Sequence, residues 1–129
     1  MKALKFTLAG RVYHLLFNGA ALFEVEDRFG GANRLIETAL CSGREAFEAL
    51  CEGFSILAEQ GELARRALGY DPEPMVDKEE IRALVTPLEL VEMRSALVRA
   101  VMLGFGREIE SEEDTDLVLL ELSQKKTKS

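Results

Sequence analysis

Few side chains in this sequence are of a type and spacing that could do chemistry. His14 is the single histidine and sits between Tyr13 and Leu15. A metal site or a general base would need a second histidine or a carboxylate cluster beside it in sequence, and neither is there, so the expectation is a strand histidine with a structural hydrogen bond. Cys41 and Cys51 belong to no CxxC or Cys/His cluster, which argues against a metal site or a disulfide framework and for free thiols. Cys51 falls on an apolar helix face, where desolvation would suppress its nucleophilicity. Cys41, near a helix end, should be more exposed. Glu24, Glu26 and Asp27 resemble paired carboxylates only in one dimension. On a helix Glu24 and Glu26 point apart, and Arg28 lies four residues from Glu24 in the favourable order. Gly30-Gly31 and Gly104-Phe105-Gly106 fit neither a P-loop nor a dinucleotide-binding pattern and read as helix ends. The expectation is no catalytic residue, no metal and no cofactor.

The elements that would position these residues fit one domain, since the chain has 129 residues and a length of this order supports one hydrophobic core. With 16 Lys+Arg against 23 Asp+Glu the formal charge is −7. That excess repels phosphate backbones and no basic face offsets it, so no nucleic-acid partner is expected. Lys5, Arg11 and His14 interrupt the apolar N-terminal stretch, and no run approaches the roughly 20 apolar residues of a membrane span. The expectation is a cytoplasmic protein with no membrane partner.

From Leu4 to Phe17, alternation of Leu4, Phe6 and Leu8 with Lys5 and Thr7, an interruption at Gly10-Arg11, and a second run from Val12 predict a β-hairpin. Asn18 then caps a helix carrying Leu22, Val25 and Phe29 and ended by Gly30-Gly31. Phe23 lies off that stripe. A short helix is expected over Ala32 to Leu40. Ser42 and Glu45 form a capping-box pattern for an amphipathic helix to Gln60, with Phe47, Leu50, Cys51, Phe54, Leu57 and Ala58 on its apolar side. A separate short helix is expected from Glu62 to Leu68, and Tyr70-Asp71-Pro72-Glu73-Pro74 reads as a rigid connector. Asp77 and Glu80 start a helix to about Leu84. Thr86, Pro87 and Glu89 start another, to Gly104 or Gly106. Its predicted inward arc holds Leu90, Val91, Leu97, Val98, Val101, Met102 and Phe105. Arg94 falls within that arc, to be accommodated by snorkelling, an internal ion pair or a partner contact, and Leu103 falls on the charged side.

The composition changes beyond Phe105. Residues 108–121 hold seven acids and no base, around an apolar island that includes Leu117, Val118, Leu119 and Leu122. The fold class expected is therefore α+β, mainly α. A hairpin and about five helices form one globular domain over 1–106, and 107–129 form an acidic, largely flexible tail. Apolar surface in such a tail can dock in a groove or pair with a strand edge. Arg94, Leu117, Val118, Leu119 and Leu122 are the candidate protein-binding residues.

The N-terminal half resembles the tail assembly chaperones of long-tailed phages and prophages, and in particular the small chaperone-like proteins associated with gene transfer agents. The likeness spans roughly residues 4–60. A strand-Gly-strand hairpin leads into the pattern F-(D/N)-x-x-A-L-x-x-(L/V)-E-(E/D)-x-x-G, occupied here by Phe17, Asn18, Ala21, Leu22, Val25, Glu26, Asp27 and Gly30. The resemblance implies a non-enzymatic assembly factor in a bacterial host cell. Its partners would be the tape measure protein, kept soluble during assembly, and the tail tube protein. It also implies a longer frameshifted product, for which Gln124-Lys125-Lys126 would be the site. Alternatives are a structural tail component, such as a completion or tube-associated protein, and a cytosolic protein-binding adaptor. Self-association into a homo-oligomer is left open.

Overall fold

The computed structural model describes residues 2–106 and the backbone of 114–116. Two strands come first, β1 (Lys2–Leu8) and β2 (Arg11–Leu15), antiparallel with Leu4 opposite Leu15 and Leu8 opposite Arg11. The turn is Ala9-Gly10, one residue earlier than the glycine signal suggests, and both residues have positive φ, 51° and 80°. A two-residue turn of that hand matches the twist of the strands it joins. Five helices follow: α1 (Gly19–Phe29), α2 (Ala32–Leu40), α3 (Arg44–Ala67), α4 (Lys78–Leu84) and α5 (Pro87–Gly104). The fold is α+β and mainly helical, as the patterning predicts. Within the segment read as a tail, Asp114–Asp116 forms β3, which pairs antiparallel with Lys2–Leu4 and makes the sheet three-stranded in the order β2-β1-β3. β1 is thereby the central strand, and β3 pairs the edge that a hairpin alone leaves open.

One face of the sheet is apolar and buried, with Leu4, Phe6 and Leu8 of β1 beside Tyr13 and Leu15 of β2. Phe54 of α3 stands over it, edge-on to Phe6 and Tyr13 with ring centroids 5.3 and 6.0 Å away, a favoured aromatic arrangement. Leu50, Phe54 and Leu57 of α3 are fully buried, together with Leu35 of α2, Ile81 of α4 and Met93 and Leu97 of α5. α3 is thus the central helix of the core.

Two expectations about α3 are corrected. The helices expected over Ser42 to Gln60 and Glu62 to Leu68 are one continuous helix, Arg44–Ala67. Gly61 does not break it, because that glycine is where the helix backbone meets β2. The capping box at Ser42 does not form either. Gly43 occupies the N-cap with φ of 93° and no side-chain cap bond. The other starts behave as read. Asn18 accepts from the Ala21 N–H at 2.9 Å, Asp77 from the Glu80 N–H at 2.8 Å, and Thr86 and Glu89 close a reciprocal capping box at the start of α5.

Candidate binding surface

The residues singled out for chemistry fall in different settings. His14 is half-buried on the sheet face opposite the main core, and its ring makes no hydrogen bond among the described residues, contrary to expectation. Burial, then the charges of Arg65 and Lys5, lower its pKa from 6.5 to about 4, so it is a neutral imidazole at pH 7. Cys51 is fully buried, and burial with the neighbouring Glu48 carboxylate pushes its thiol up to about 11, which leaves almost no thiolate. Cys41 is exposed, its thiol donating to the Glu37 carbonyl at 3.2 Å. Arg28 pairs with Glu24 at 3.2 Å and with Glu52 of α3 at 3.0 Å. Among the described residues no three His, Cys, Asp or Glu side chains are placed to hold a metal ion, and no helix is long and apolar enough to cross a membrane.

The most polar cluster lies beside His14. Glu62 is the one buried charged residue among those described. It accepts from Arg65 at 2.7 Å, from Arg66 at 2.8 Å and from the Glu73 backbone N–H at 2.8 Å. Arg66 donates to the Glu73 carbonyl at 3.0 Å, and the Arg65 guanidinium lies 5.1 Å from the centroid of the Tyr70 ring. Burial alone would raise the Glu62 pKa, but the Glu73 N–H and the two arginines together hold it below the ordinary value. A cavity of about 410 Å³ opens here, lined in part by Val12, His14, Glu62 and Met75. Every strong contact of Glu62 is to α3 itself or to the 70–74 connector, so the cluster fastens that connector.

The most exposed large aliphatic side chains among the described residues, Leu88 and Val91, lie on α5. Its core side is formed by Met93, Ala96, Leu97, Ala100, Val101 and Leu103; of the predicted inward arc, Leu97 and Val101 lie on it and Leu90 packs against the core, and the remaining members are corrected. Val91 is 64% exposed, Leu88 70% and Phe105 60%, Val98 and Met102 are half-buried, and Leu103, expected outside, is buried. Wound at about 100° per residue, Leu88, Val91, Ser95, Val98 and Met102 share one side, opposite Met93 and Ala100. The helix is apolar on both sides. Small Ala96 and Ala100 let it approach its neighbours closely, while Leu88 and Val91 remain exposed. Among the described elements β1, α2 and α3 pack against α5. Leu84, at the end of α4 and 45% exposed, precedes α5 in the chain.

Arg94 flanks the outward stripe. It is half-buried, its Nε is sealed from solvent with no hydrogen-bond partner, and it makes no ion pair among the described residues. The internal ion pair that would have explained it is absent from that set. Leu117, Val118, Leu119 and Leu122 lie outside the described residues. The outward face of α5 was missed from sequence because periodicity marks two apolar arcs and does not say which one the sheet covers. No protein-family model, no curated protein sequence and no solved structure matches the chain.

Proposed function

We propose that this protein is a non-enzymatic tail assembly chaperone of phage or prophage origin that holds a tape measure protein soluble in the bacterial cytoplasm while the tail tube assembles. The observation that supports this reading is the outward face of α5, where Leu88, Val91, Val98 and Met102 remain available although the chain has a complete core of its own. A helix-rich apolar client needs a surface of this kind to be shielded from self-association. The net charge of −7 keeps such a carrier soluble. The residues that carry the family resemblance serve the fold: Asn18 caps α1, Ala21 and Val25 are buried, and Gly30 ends the helix with φ of 87°. They support a common architecture, and the function rests on α5.

The test is co-expression with a tape measure fragment that is insoluble by itself. The fragment should enter the soluble fraction with the wild-type chain and remain insoluble with Val91→Asp. Equal rescue by both chains would remove the reading. Recovery of the chain in purified mature tails would instead favour a structural tail component.

A further inference from the structure

α4 is seven residues long, too short to hold a helix by itself, so it depends on what it lies against. It packs mainly on α3. Ile81 is its one buried side chain, and Val76 is buried just ahead of the helix. A cation stands on either side of Ile81. Lys78 reaches Glu48 at 3.1 Å and Glu52 at 3.9 Å, and Arg82 reaches Glu48 at 3.1 Å. Glu48 therefore answers both cations. Glu52 is already paired with Arg28 at 3.0 Å, so the attachment of α4 by charge centres on Glu48.

The fastenings of the connector and of α4 differ in kind. The connector is held through the Glu73 N–H by Glu62, which is buried, and a buried charge is little screened by salt. Lys78, Arg82 and Glu48 are 36%, 37% and 29% exposed. Ion pairs open to water to that degree are weak, and salt screens them. Both ends of α4 can turn without disturbing a neighbour. Its own Asp77 caps its start, Val85 ends it in extended backbone, and α5 begins on a separate capping box at Thr86 and Glu89. The unit that can leave is thus α4, tethered by the clamped connector at one end and by Val85 at the other. Beneath it lies Cys51, fully buried, with Glu48, Arg82, Lys78 and Glu79 as its charged neighbours.

We propose that α4 is a flap on α3 that opens as a unit while the rest of the chain stays folded, with the Glu48 pairs as its latch and rising ionic strength as the condition that releases it. Opening uncovers the Cys51 side of α3. The flap is independent of the chaperone reading, which survives its failure.

The experiment uses the full-length chain with Cys41→Ser, so that Cys51 is the single thiol, and an excess of the uncharged reagent dithiodipyridine at about pH 8. Each labelling rate is divided by that of the urea-unfolded chain in the same salt. At about 0.02 M sodium chloride Cys51 should stay protected, and at about 1 M it should label at least about fivefold faster. That faster reaction should depend on urea with a small fraction of the slope of global unfolding, because little surface opens. Glu48→Gln, which keeps the shape and removes the charge, should label fast already at low salt and gain less than about twofold from added salt. Hydrogen exchange read by mass spectrometry should accelerate with salt over residues 78–85 and stay unchanged in α5 and the sheet. A wild-type labelling rate that salt does not change would overturn the proposal, as would labelling at high salt with the full urea slope of global unfolding. An equal salt effect in Glu48→Gln would overturn it too, and so would exchange that speeds equally in α4, α5 and β1.

Discussion

The backbone carbonyl oxygen of His14 on β2 lies so close to the α-carbon of Gly61 on α3 that a β-carbon at position 61 would overlap it. One turn earlier, the Leu16 N–H donates to the Leu57 carbonyl at 3.0 Å, so strand edge and helix backbone are joined directly. Gly61→Ala must push the helix off the strand, because the obstacle is backbone and cannot rotate away. The expected loss is about 3 kcal/mol or more, read as a lower urea midpoint. Gly19→Ala, with nothing within 4 Å of the added carbon, is the control and should not lower the midpoint.

Ala9 is the one non-glycine residue with positive φ among those described, at 51°. A β-carbon in the left-handed region costs about 1 kcal/mol, and Asn tolerates that region better. Ala9→Asn should therefore stabilise the chain by about 0.5–1 kcal/mol with no change in the slope of the urea transition.

The acid arm of stability should show two successive losses. For His14 the folded pKa of about 4 lies below the ordinary 6.5, so the unfolded chain takes up the proton first. Its contribution is complete above about pH 6.5 and is lost as pH falls toward 4. The ring is half-buried, and solvent screening limits this to about 1–2 kcal/mol. Glu62 is also lowered in the fold, from 4.5. Its contribution is present above that value and lost below it. His14→Gln should flatten denaturant-measured stability between pH 6.5 and 4 and leave the steeper fall below pH 4.5 in place.

The two thiols should separate cleanly. In the native protein an aromatic disulfide reagent at pH 8 should titrate one thiol, at Cys41, and the second should react only after unfolding. Native labelling at Cys51 would mean that the α3 core is open where the fold has it closed.

How far the sequence reveals this molecule depends on whether a pattern has one solution. Thr86-Pro87-x-Glu89 has one, and it starts α5 as read. Asn18 and Gly30 bracket α1 as read. Gly61 has two, since a glycine inside a helical pattern signals either a break or a close approach. What chooses here is the His14 carbonyl, 47 residues away in the chain and invisible to local periodicity. The phase of α5 also has two. Of the predicted arc, Leu97 and Val101 are buried and Leu90 packs against the core, whereas Val91 and Phe105 are exposed and Val98 and Met102 half-buried. The buried side extends instead over Met93, Ala96 and Ala100, whose two small residues permit close packing. Arg94 was singled out from sequence because it interrupted the expected inward arc, and in the structure it stands on the margin of the outward one. Nothing in composition marked the Glu62 cluster, because its partners on the connector are mainly backbone groups.

The rotational setting of α5 is the central claim, and cysteine accessibility along that helix tests it most directly. In a Cys41→Ser background, Val91→Cys should react with a maleimide at the rate of an exposed thiol, and Leu97→Cys should be protected until the chain unfolds. Adding the tape measure fragment should slow labelling at position 91. Protection at 91 in the isolated chain with ready labelling at 97 would contradict the account, because the apolar stripe would then face the protein's own core.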